Sequence, residues 1–114
     1  MFSSVAAYEG TKGILFYSAA KAGVQSAVRA INKEILSTQR INSISPGWVD
    51  TEMTDNYLND SGMLRENIST GYLGVGKPQD VSGIVLFLLS SCAENISGQD
   101  FVIDGGYLID IFGN

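Results

Sequence analysis

Between Tyr17 and Ser37 the chain places Ala20, Val24, Ala27, Val28, Ile31 and Ile35 at the intervals of three and four that give a helix one apolar stripe. A long helix with one such stripe has to lay it against a partner, and the segments on either side of it have the character of strands. Ala19, Ala22, Gly23, Ser26 and Ala30 keep its surface small, so a sheet or another helix can approach closely, while Arg29, Lys33 and Glu34 supply a solvated side. The feature therefore predicts a layered α/β arrangement.

Tyr17 and Lys21 continue the Val24/Val28 side of that stripe. Residues four apart on a helix lie one above the other, so the phenol and the ammonium point into the same space and face the body of the protein. A free phenol titrates near ~10, and a nearby cation favours the phenolate and brings proton transfer closer to neutral pH. The pair is a candidate acid/base. The same spacing is also common in solvated helix pairs, and with five tyrosines it arises by accident, so the residues around it decide its meaning.

Several chemistries are excluded by composition. The chain has no histidine, which removes Ser-His-Asp and Cys-His catalysis and imidazole metal sites, and no metal site is expected. Cys92 is alone, cannot form an intramolecular disulfide, and is read as a small buried residue. A net charge of -5 without a Lys/Arg cluster argues against nucleic acid and anionic membranes as partners. Apolar runs such as Ile84–Leu89 are too short to span a bilayer and no secretory signal is seen, so a cytoplasmic location is expected. At 114 residues, 45% hydrophobic, the chain is sized for one core.

In chain order, Met1–Ser4 reads as the end of a strand opening into the loop Tyr8–Ile14, and Ser4 stands thirteen residues before Tyr17. Ser3 and Ser4 can equally be ordinary loop hydroxyls. After the helix, Arg40–Ser45 reads as a strand stopped by Pro46-Gly47. The loop Trp48–Met53 then leaves the carboxyl end of a strand, where open α/β sheets bind ligands. Within it Thr51 is a candidate ligand contact and also a candidate helix cap. Thr54–Thr70 is polar and weakly periodic, read either as short mobile helices that close over a substrate or as a surface excursion.

Gly71–Lys77 has the spacing of a phosphate-binding loop, but Pro78 stands where the Mg²⁺-holding hydroxyl belongs, and no apolar strand precedes it. Pro78 better opens a helix with Asp80 in its first turn and an apolar face of Val81, Ile84, Val85, Leu88 and Leu89. Gln99–Asp104 reads as a strand stopped by Gly105-Gly106, and the apolar tail Tyr107–Phe112 suggests a subunit contact.

Taken together, Ser4, Tyr17-x-x-x-Lys21, Arg40–Val49 with Thr51, Lys77-Pro78-x-Asp80-Val81, Ile96–Gln99 and Val102–Gly106 resemble the short-chain dehydrogenase/reductase family, in particular its 3-oxoacyl-carrier-protein-reductase-like members, over essentially the whole chain. The resemblance implies an α/β fold, the C-terminal half of a Rossmann-type doubly wound parallel sheet. Residues 1–114 would then form its catalytic and oligomerisation part, with 51–71 the substrate-loop region.

It further implies NAD or NADP as cofactor and a small carbonyl or hydroxyl compound as substrate. Tyr17 would be the general acid/base, Ser4 a hydrogen-bond donor to the substrate oxygen, and Lys21 a ligand of the nicotinamide ribose that favours the Tyr17 phenolate. Pro46, Gly47, Val49 and Thr51 would lie at the nicotinamide, and the Val81–Leu89 helix with the final strand would form a homo-oligomer interface. The family's T-G-x-x-x-G-x-G turn, its N-N-A-G strand and its fourth catalytic residue, an Asn, have no counterpart in these residues. A second expectation is therefore a truncated, catalytically inactive fragment that acts at most as an association module.

Overall fold

The computed structural model describes residues 1–62, 68 and 70–112. Two strands, β1 (Ser43–Pro46) and β2 (Asp100–Ile103), pair in parallel with Ser43 opposite Asp100 and Pro46 opposite Ile103. Met1–Val5 runs along the other edge of β1. The Ile44 N–H donates to the Met1 carbonyl at 3.0 Å, the Ser3 N–H to the Ile44 carbonyl at 2.8 Å, and the Val5 N–H to the Pro46 carbonyl at 3.1 Å. This is the strand end expected before the loop.

Helices α1 (Ala6–Glu9), α2 (Leu15–Ile31), α3 (Glu52–Ser61), α4 (Pro78–Leu89) and α5 (Tyr107–Phe112) surround these strands, with a 3-10 turn at Ser91–Ala93. Successive strand residues face opposite sides, and here the two sides differ in kind. Ile44 packs in an apolar cluster with Leu88 and Ala93, joined by Val81, Ile84 and Val85 of α4 and by Phe101 and Ile103 of β2. Ser43 and Ser45, on the opposite side, are fully buried, and Ser45 meets Gln25 of α2. One face of the sheet is oily and the other is hydrogen-bonded.

Local chemistry explains several boundaries. Pro78 opens α4, where a missing N–H costs nothing, and the Asp80 carboxylate accepts the Lys77 N–H at 2.6 Å. The Thr51 hydroxyl caps α3 by accepting the Thr54 N–H at 3.4 Å, the capping role open from the sequence. Gly105 and Gly106 end β2 with φ of 64° and 89°, a backbone that side chains resist.

The structure differs from the sequence expectations at several points. The long helix starts at Leu15 and ends at Ile31 instead of Ser37, because the next turn tightens into bonds three residues apart, Lys33 N–H to Ala30 and Glu34 N–H to Ile31. The loop after Ser4 contains α1, a helix too short to show a stripe. The first complete strand occupies Ser43–Pro46 rather than Arg40–Ser45. Cys92 is exposed on the 3-10 turn and not buried. The apolar tail, given no secondary structure from the sequence, forms α5, with the Tyr107 hydroxyl donating to Glu9 at 2.6 Å, the Leu108 N–H to Asp104 at 2.9 Å, and Ile109 exposed. The 54–70 segment begins as α3, while residues 63–67 and 69 lie outside the described residues.

Candidate active site

Tyr17 is the third residue of α2, and Lys21 follows one turn later. The Lys21 ammonium stands 5.5 Å from the Tyr17 ring centroid, within cation–π range, so the structure brings the predicted pair together. Lys21 is also held from the strand side. Its Nζ donates to the Phe2 carbonyl at 3.1 Å, and the Ser3 hydroxyl donates to the Lys21 carbonyl at 2.9 Å. An ammonium has three N–H donors, and one is used among the described residues. Tyr17 is half exposed rather than turned into the body of the protein, and its hydroxyl has no hydrogen-bond partner among the described residues.

Ser4 follows directly on the strand end that grips Lys21. Its Oγ accepts the Ala6 N–H at 3.2 Å, which fixes the oxygen and leaves the O–H free to donate. Next to Tyr17, the buried Ser18 hydroxyl has no partner among the described residues.

The other predicted residues gather at the carboxyl end of β1. An apolar groove of about 460 Å³ is lined by Phe2, Pro46, Val49, Thr51, Pro78 and Val81 among others. Val49 forms a parallel bridge with Gly76, in which the Gly76 N–H donates to the Trp48 carbonyl and the Asp50 N–H to the Gly76 carbonyl, both within 2.9 Å. In that pattern the N–H and C=O of Val49 itself point away from Gly76. The Val49 carbonyl accepts the Thr54 and Thr51 hydroxyls. Gly47 does something else: a Cβ there would lie 2.9 Å from the Cα and Cβ of Asp104, so it lets two strand ends pack closely.

A polar cluster beside this site, with buried Gln25, Ser43 and Ser45, a half-buried Asp100 and an exposed Tyr8, was missed from the sequence. The Asp100 carboxylate accepts Tyr8 at 2.6 Å, Ser45 at 2.7 Å, Gln25 at 3.2 Å and Ser43. Burial, followed by the bond to Asp100 and its negative charge, pushes the Tyr8 phenol up to about 12. Burial and Glu9 do the same to Tyr107, also to about 12. Two signals were available: Ser43 and Ser45 alternate as polar residues within a strand, and Gln25 sits one turn beyond Lys21.

A family model described as enoyl-(acyl carrier protein) reductase matches residues 1–108. The chain is 40% identical over 106 residues to the 3-oxoacyl-acyl-carrier-protein reductase FabG of Chlamydia trachomatis, covering 91% of this chain and 42% of that protein. It is similar to a solved short-chain dehydrogenase/reductase of the glucose/ribitol dehydrogenase type from Brucella melitensis, with a TM-score of 0.81, 31% identity, and coverage of 93% of this chain and 43% of that one. It is also similar to ElxO solved with NADP bound, with a TM-score of 0.81 at 25% identity, covering 94% and 44%.

The chain belongs to the short-chain dehydrogenase/reductase family. Its fold is α/β and Rossmann-like, and it spans under half the length of the relatives it matches. No helix among the described residues is long and apolar enough to cross a membrane.

Proposed function

We propose that the chain is the catalytic part of an NAD(P)-dependent oxidoreductase that moves a hydride between a nicotinamide and a small carbonyl or hydroxyl compound. The observation that carries the reading is the Tyr17–Lys21 pair, with the ammonium 5.5 Å from the ring and the phenol hydroxyl open to solvent. The groove fits the nicotinamide end of the cofactor, because it is apolar, is lined by Pro46, Val49 and Thr51, and has a backbone strand end at Val49. When bound, NAD or NADP supplies or accepts the hydride.

The chain's own residues handle the oxygen and its proton. Tyr17 gives its phenolic proton to the carbonyl oxygen as that carbon is reduced, and takes it back from the hydroxyl in the reverse direction. Ser4 donates its free O–H to the same oxygen, stabilising the charge that develops there. Among the described residues Lys21 keeps two N–H donors for the ribose hydroxyls after its bond to Phe2. Leu15, Phe16, Leu86 and Leu89 are exposed and apolar, and support self-association of the chain.

The test is a fluorescence titration of the chain with NADH and NADPH, followed by turnover assays on a 3-oxoacyl thioester and simple ketones. Saturable binding with turnover is expected. Absence of both at millimolar cofactor leaves the inactive association module as the reading, and a monomeric sedimentation profile at micromolar concentration removes the association.

A further inference from the structure

Three of the segments that carry the candidate active site meet at one side chain that takes no part in the chemistry. Asp100, the first residue of β2, holds Tyr8 of α1, Gln25 of α2, and Ser43 and Ser45 of β1 through its two carboxylate oxygens. Tyr8 lies four residues after Ser4, Gln25 lies four residues after Lys21 on the same side of α2, and Ser45 directly precedes Pro46-Gly47. Gln25 also bonds Ser45 at 3.1 Å, which closes the cluster between α2 and β1. Gln25 is buried, and Ser43 and Ser45 are completely so.

We infer that Asp100 is a positioning residue that holds the segments bearing Ser4, Tyr17/Lys21 and Pro46-Gly47 in register with one another. Apolar contacts are indifferent to small slides of a helix along a sheet, whereas hydrogen bonds to a fixed carboxylate are directional and roughly twice as strong as neutral ones. Tyr8, Gln25 and Ser45 converge on Oδ2 and Ser43 donates to Oδ1, so α1, α2 and β1 are tied through one and the same oxygen atom. The elevated Tyr8 phenol keeps its proton, and so remains a donor, throughout the working pH range. The consequence for rate rests on the oxidoreductase reading above; the registration itself does not.

The experiment compares the full chain with Gln25→Leu and Tyr8→Phe, which keep the Asp100 charge, and with Asp100→Asn. Gln25→Leu is expected to lower kcat about tenfold with KM changed less than twofold, because the site is displaced and not dismantled. In hydrogen exchange followed by mass spectrometry, Asp100→Asn is expected to speed exchange together in segments 1–9, 15–25 and 43–47. In the chain labelled with ¹³C at the tyrosine ring, Gln25→Leu is expected to displace the Tyr17 signal, identified with Tyr17→Phe, across the two turns that separate them.

Faster exchange confined to residues 99–103, an unmoved Tyr17 signal, or unchanged kcat alongside faster exchange overturns the inference. If Asp100→Asn does not fold, Gln25→Leu and Tyr8→Phe decide the same question. A wild-type chain with no turnover overturns the oxidoreductase reading, while the exchange pattern and the Tyr17 signal still decide the registration.

Discussion

The two faces of the β1–β2 pair are built from adjacent residues and do different work. Ile44, Phe101 and Ile103 face the apolar cluster around Leu88, while Ser43, Ser45 and Asp100 face α2 through hydrogen bonds. The first face supplies cohesion, which depends on area and tolerates small displacements. The second supplies direction, because each bond has a preferred length and angle. The helix carrying Tyr17 and Lys21 lies on the directional face, and the helix on the oily face carries none of the candidate catalytic residues. This division separates what holds the fold together from what aims the site.

The largest expected effect belongs to the helix on the polar face. Tyr17→Phe removes one exposed hydroxyl, so turnover is expected to fall by about 10²- to 10⁴-fold while stability stays within about 0.5 kcal/mol of the parent. Steady-state kinetics and a denaturant titration on the same preparation check both halves, and undiminished turnover removes Tyr17 as the acid. The oily face should behave in the opposite way. Leu88→Ala opens a hole in the cluster and is expected to cost about 2–5 kcal/mol in a denaturant titration, with kcat per folded molecule unchanged. If that variant kept its stability and lost its rate, the comparison of the two faces would be wrong.

A smaller effect is expected where the strand ends meet. Gly47→Ala places a Cβ 2.9 Å from the backbone of Asp104, and the strand ends have to part to admit it, at a cost of about 1–3 kcal/mol. Asp104 also accepts the Gly106 and Leu108 N–H groups, each at 2.9 Å, so the start of α5 should loosen with it. Faster exchange at 104–108 in the variant is the expected sign, and an unchanged melting curve would mean the close approach carries no weight.

The apolar side of this architecture was far more legible in the sequence than the polar side. The α2 stripe is local and repeats over several turns, so the helix and the Tyr17–Lys21 pair on it could be found from spacing alone. Its end could not, because Ile35 stays in phase with the stripe after the helix has closed at Ile31. The four residues of α1 make one turn, too little for any period to show. The Asp100 cluster joins residues up to 92 positions apart, Tyr8 with Asp100, and nothing in local spacing encodes such a meeting. Thr51 shows an intermediate case: its capping bond was foreseeable from the residue type, while the Val49 bridge to Gly76 beside it depends on a distant segment.

The smallest effect at neutral pH concerns two tyrosines that tie helices down, Tyr8 to Asp100 and Tyr107 to Glu9. Both phenols stand at about 12 in the folded chain against about 10 in the unfolded one, because burial and a neighbouring carboxylate oppose the phenolate. Between pH 10 and 12 the unfolded chain has released protons that the folded chain still holds, so stability falls as pH rises through that window and is complete below it. Melting temperature is expected to be flat up to about pH 10 and to decline above it. Tyr107→Phe should flatten part of that decline by removing the bond between α5 and α1, and Tyr8→Phe another part on the polar face. A decline that neither substitution alters would place the alkaline sensitivity elsewhere in the chain.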